Sequence, residues 1–214
     1  MRRRGAQKAI HPPGFLNRAL EWLRGRRQRL VRSGNGAPLL LLSYPAGGES
    51  AAELIETAYS RTLGAMSPPV RRPYEELWPA LPALVVVLLR PRNPCGCLGH
   101  HHPPGTESRL ARRLAADLGH PVAEIDLAYQ AIAEWQPEPL ASLGVGASPS
   151  ELRPLHLEAA LLAVLLHEME HLAFPQRGER QILARSREFY AQAMRELVSG
   201  ELGRDYGMAW SRPP

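Results

Sequence analysis

Lysine is almost missing from this 214-residue chain: Lys8 is the only one, so its positive charge is carried by arginine. Cysteine is nearly as scarce. Cys95 and Cys97 are too few for a disulfide framework, and a bridge across one intervening residue would be strained, so the pair is expected as reduced thiols in a cytoplasmic chain. Long hydrophobic runs are absent too. Leu39 to Leu42 and Leu84 to Leu89 are short, and the most apolar segment, Leu157 to Leu166, is interrupted by Glu158, which excludes a membrane span. The start, MRRRGAQKAIHPPG, is basic but leads into no apolar stretch of the secretory kind. Aromatics make up only 6% of the residues, whereas the 21 prolines predict short, sharply bounded elements.

What is present is distributed unevenly. Residues 1–36 hold ten basic side chains against Glu21 alone, about +9, so the rest of the chain lies near −4 within the overall +5. Phe15, Leu16, Leu20, Leu23, Leu30 and Val31 recur at roughly helical spacing. FLNRALEWLRGRRQRLVR therefore reads as an amphipathic helix broken at Gly25, suited to packing on the domain with a solvated arginine face, or to binding nucleic acid or an acidic partner. This segment, 1–36, is set apart from a domain spanning 37–214.

From Ala37 the pattern is strand, helix, strand. PLLLLSY, bounded by Gly36 and PAGG, suits a buried strand; Glu49 to Arg61 follows as a helix; a proline-rich connection leads into ALVVVLL, the strongest strand signal in the chain. The next stretch, RPRNPCGCLGHHHPPG, gathers Cys95, Cys97, His100, His101 and His102. Those residue types can bind zinc, but CxC followed by a histidine run lacks the CxxC spacing of a metal knuckle, and a surface loop near the active cleft is expected. Two helices come next, one capped by Thr106 and ending at Gly119, the other starting at Pro121 with Val122, Ile125, Tyr129 and Ile132 on its buried face. Residues 136–154 read as a loop, with Pro154 in the first turn of the helix that follows.

That helix, His156 to Phe174, carries the chemistry. HLEAALLAVLLHEMEHLAF is apolar until it meets His167, Glu168, Glu170 and His171. Histidines four apart lie one turn above each other, so their imidazoles can converge on one ion, and Glu168 sits beside them as a general base. Ending a core helix on two histidines and two glutamates is costly unless they are paired or bound to metal. Zn2+ with three protein ligands leaves a position for water, so a further ligand is required. No histidine follows His171, which leaves Glu179, Glu188, Glu196, Glu201 and Asp205. A second helix, Glu179 to Val198, should fold back as an antiparallel hairpin. Matching positions equidistant from the turn puts Glu188 level with His167, the preferred third ligand, although Glu179 rather than Glu188 lies on the apolar face of its helix. For an oxyanion stabiliser the candidates are Tyr190, Tyr206 and His156. A di-iron bundle would need a second ExxH, which is absent.

HEMEH followed by EFYAQAM resembles the gluzincin zinc metallopeptidases, in which a later helix supplies a glutamate within an ExxAD-like pattern; here Glu188 and Ala191 match and Gln192 stands where aspartate is usual. The short separation is similar to that of minimal gluzincins of the ImmA/IrrE or SprT-like kind. The resemblance covers about a quarter of the chain. It implies an α+β, zincin-like fold, mainly helical with a small sheet, and a zinc metallopeptidase acting on a protein or peptide substrate. Its metal ligands would be His167, His171 and Glu188, with Glu168 as base and Tyr190 beside the oxyanion. The competing expectation is a catalytically inactive metal-binding protein of the same fold, whose arginine-rich segment binds nucleic acid or a protein partner.

Overall fold

The computed structural model describes residues 26–32, 36–103, 105–135 and 149–206, without the side chains of residues 61–62, 149–151 and 201–206. The fold is α+β. Five strands form one mixed sheet: β1 (Arg26–Val31), β2 (Leu39–Pro45), β3 (Leu84–Arg90), β4 (Gly99–His101) and β5 (Ala123–Ala128), in the order β1-β2-β3-β5-β4. The three central strands are parallel, and each edge is closed by an antiparallel strand, β1 against β2 and β4 against β5.

Side chains alternate across this sheet and divide the core in two. Leu40 and Leu42 of β2, Val85, Val87 and Leu89 of β3, and Ile125 and Leu127 of β5 face the larger cluster, which takes in the long helices α5 (Pro149–Ala173) and α6 (Glu179–Tyr206). Leu41, Leu84, Val86 and Leu88 face the other way, onto α3 (Arg109–Leu118). Burial on both faces explains why β2 and β3 read as continuous apolar runs rather than alternating ones. Helix α1 (Glu49–Thr57) follows β2 as expected and continues through a π-helical turn and one more α-helical turn to Ala65. The proline-rich connection is more ordered than expected: α2 (Pro68–Glu75) is packed through Val70 and Tyr74, whose hydroxyl donates to the Leu162 carbonyl at 2.5 Å. A short helix α4 (Tyr129–Glu134) links β5 to the segment before α5.

Four expectations are corrected here. The part of the amphipathic segment that lies within the described residues, 26–31, is a strand. Its period is two: Arg27, Arg29 and Val31 face α1, where Arg27 pairs with Glu49 and Arg29 with Glu56 (2.7 Å) and Glu53 (3.3 Å), while Arg26 donates to the Ser43 and Leu89 carbonyls at 2.7 and 2.9 Å. These arginines are internally partnered, and the segment that was set apart at residue 36 contributes a strand to the sheet; residues 1–25 lie outside the described part. Second, the helix expected from Pro121 is β5 up to Ala128. Val122, Ile125, Tyr129 and Ile132 fit a helical period, but AEIDLA also alternates, and the open edge of β3 decides in favour of pairing. Third, α3 is capped by Ser108 rather than Thr106, and α5 begins at Pro149, so that Pro154 lies inside it. Fourth, Cys95 and Cys97 are joined as a disulfide, their Cα atoms 5.4 Å apart, with Gly96 between them at φ 74°. Among the described residues no helix is long and apolar enough to cross a membrane.

Candidate metal centre

Helix α5 is buried from Ala159 to Leu166 and ends in the residues of interest. One turn apart, His167 and His171 place their rings 4.9 Å from each other. After the turn at 174–178, the first residue of α6 is Glu179. Its two carboxylate oxygens reach both histidines, Oε1 lying 3.3 Å from His167 Nε2 and Oε2 2.9 Å from His171 Nε2. The three side chains together form a group compact enough to hold one metal ion.

Glu188, expected as the third ligand, is elsewhere. It accepts a hydrogen bond from Gln192 at 3.1 Å and lines a separate shallow cleft with Pro69, Arg72 and Arg185. The cause is helical phase: nine residues separate it from Glu179, which at 3.6 residues per turn is about half a revolution, so the two carboxylates point to opposite sides of α6. Leu183 and Ser186 line the cleft with Glu179, four and seven residues on, and mark the face that does look toward the histidines. Glu196 is also accounted for, accepting from the backbone N–H and hydroxyl of Ser67 at 2.6 and 3.0 Å.

The turn is fixed by a residue to which the sequence assigned no role. Glu170, fully buried, is paired with Arg177 in the turn and with Arg185 Nε of α6 at 3.3 Å. Arg177 also lies over the Phe174 ring at 3.9 Å, and Arg185 continues to Glu76 at 3.1 Å. A buried carboxylate must be compensated, so these two arginines tie the end of α5 to the start of α6 and thereby hold Glu179 in place.

Glu168 is 5% exposed and points into a cavity of about 380 Å³ walled by Leu98, Trp135, Val164 and Leu183. The strand β4 crosses directly over it. His101 Nδ1 lies 3.2 Å from Glu168 Oε2, and the same imidazole stacks on His171, with centroids 4.6 Å apart at 17°. Contact this close requires a glycine two residues before: a Cβ on Gly99 would come within 2.6 Å of Glu168 Oε1 and 2.8 Å of Val164 Cγ1. Gly99→Ala is expected to cost about 1–3 kcal/mol through overpacking, read as a lowered unfolding midpoint, and to displace the Glu168 carboxylate. The histidine run expected to form a surface loop is thus an edge strand, and His101 had no sequence signal beyond its place in that run.

Tyr190 does not join the cleft. Its hydroxyl shares a hydrogen bond with His156 Nδ1 at 2.8 Å, and its ring packs on Trp135 behind the wall. Burial pushes the Tyr190 phenol up to about 12 and holds the His156 imidazole below its ordinary value, as befits a neutral, interior pair. Two of the three oxyanion candidates therefore partner each other, and the side chain of Tyr206 is outside the described residues. No family model, curated protein or solved structure matches this chain. The geometry of the site alone carries the functional reading.

Proposed function

We propose that the protein is a zinc-dependent peptidase on a zincin-like scaffold, with His167, His171 and Glu179 as the metal ligands. The observation that carries this reading is the convergence of two imidazole Nε2 atoms on both oxygens of one carboxylate, with a second, buried carboxylate facing the same cavity. Two histidines and a glutamate form a donor set suited to catalytic zinc, which leaves a position open. When bound there, the ion supplies Lewis acidity to a peptide carbonyl and to the attacking water.

The chain's own residues supply the rest. Glu168 takes the proton of the attacking water and delivers it to the leaving amine, the role of a positioned general base and acid. His101 orients Glu168 and offers its imidazole to the oxyanion, a role for which Tyr190, Tyr206 and His156 were the expected candidates. Leu98, Trp135, Val164 and Leu183 exclude water and receive an apolar substrate side chain. Strand β4 is the last strand of the sheet, so an extended peptide can pair with its outer edge and lie across Glu168.

The test is hydrolysis of an unfolded protein substrate with and without metal. A chelator is expected to abolish cleavage and zinc to restore it, and His171→Ala should lower bound zinc by about one ion per chain. Cleavage that persists in the metal-free protein overturns the proposal.

A further inference from the structure

A second cluster lies on the face of the sheet that carries α3. Period-two alternation sends Glu124 and Asp126 of β5 to that face, while Ile125 and Leu127 enter the main core. His102 follows β4 directly, and its backbone N–H donates to the Glu124 carbonyl at 3.0 Å. Its Nε2 lies 3.5 Å from Glu124 Oε1 and 3.6 Å from Asp126 Oδ2. Glu124 is fully buried and Asp126 is 6% exposed.

We propose that His102, Glu124 and Asp126 bind a second divalent ion, independent of the first. Several observations point to a ligand. The buried His102 Nε2 and Asp126 Oδ1 have no hydrogen-bond partner among the described residues. Buried polar atoms are rarely left so without a ligand or water. The separations are long for hydrogen bonds yet match ligands of one ion, since donors held at about 2.1 Å in a tetrahedron lie about 3.4 Å apart.

The existing partners shape the site without filling it. Ser108 donates to Glu124 from its backbone N–H at 3.0 Å and from its hydroxyl, and Arg90 Nε donates to Asp126 Oδ2 at 2.9 Å. These bonds orient the carboxylates, as outer partners of metal ligands do. Arg90 leaves one of the two buried negative charges without a directly bonded counter-charge, and a divalent ion supplies it. One imidazole with two carboxylates and no thiolate suits a borderline first-row ion such as Zn2+ or Mn2+. His102 also lines a cavity of about 500 Å³ with Glu107, Arg112 and Val122. The two sites meet in β4: His101 reaches Glu168 on one face and His102 reaches the carboxylate pair on the other. The second ion therefore acts structurally, fastening β4 to β5 under the general base.

The test uses the full chain dialysed against Zn2+ or Mn2+, with bound metal determined by elemental analysis. His167→Ala with His171→Ala should retain about one ion per chain, and adding Asp126→Asn should remove it. In the otherwise unchanged protein, Asp126→Asn should reduce about two ions to about one, and in the double variant it should abolish the rise in unfolding midpoint that the metal produces. Asparagine preserves the volume of Asp126, and measuring both backgrounds keeps the test decisive if one variant fails to fold. A stoichiometry of one that His167→Ala abolishes, with Asp126→Asn without effect, overturns the proposal.

Discussion

Under the proposed peptidase mechanism, Glu168→Gln is expected to lower peptide hydrolysis by about 10²–10⁴-fold without loss of zinc binding, the range associated with removing a positioned general base. The substitution is close to isosteric, so the packing of the side chain beneath Gly99 is preserved, and the amide can still hydrogen-bond to His101. What is lost is basicity alone. Parallel measurement of kcat, metal content and unfolding midpoint separates that loss from a folding defect: kcat should collapse with the other two unchanged. Activity within tenfold of the parent would remove Glu168 from the mechanism.

The second large effect concerns the proposed third ligand. Glu179→Ala should weaken zinc binding by more than about 100-fold, since changes one shell further from a metal already cost 10–100-fold. Glu188→Ala should leave zinc affinity unaltered, because its carboxylate contacts Gln192 on the far side of α6. Competition with a chromogenic chelator gives both affinities in one experiment. Equal losses, or the reverse order, would mean that α6 is rotated relative to α5 when metal is bound, and the ligand set would have to be reassigned.

That Glu179 and not Glu188 lies beside His167 and His171 shows what a sequence can carry. Spacing along one helix is local, so His167, Glu168 and His171 are legible from HEMEH alone, and β2 and β3 from their apolar runs. The partner helix is also legible as a helix. Its register is not, because equidistance from a turn presumes two ideal helices in simple antiparallel contact, whereas here the turn is set by Glu170, Arg177 and Arg185. Helical phase was the better guide: Glu179 lies on the apolar face of α6, and that face looks at the histidines. β5 was hidden for another reason. AEIDLAY satisfies both a strand and a helical period over its few residues, and only the unpaired edge of β3 distinguishes them. The histidine run was visible as composition, yet the division of labour between His101 and His102 depends on β4 being a strand, which three residues cannot announce.

The edge strand β1 bears on how the protein could be shortened. Its arginines are bonded to α1, to β2 and, through Arg26, to the Leu89 carbonyl at the end of β3. Truncation at residue 36 would leave β2 with a bare, apolar, hydrogen-bonding edge and would expose Glu49, Glu53 and Glu56 without their cations. Such an edge is a template for self-association. The smallest unit that keeps this edge of the sheet closed therefore includes β1 from Arg26 onward.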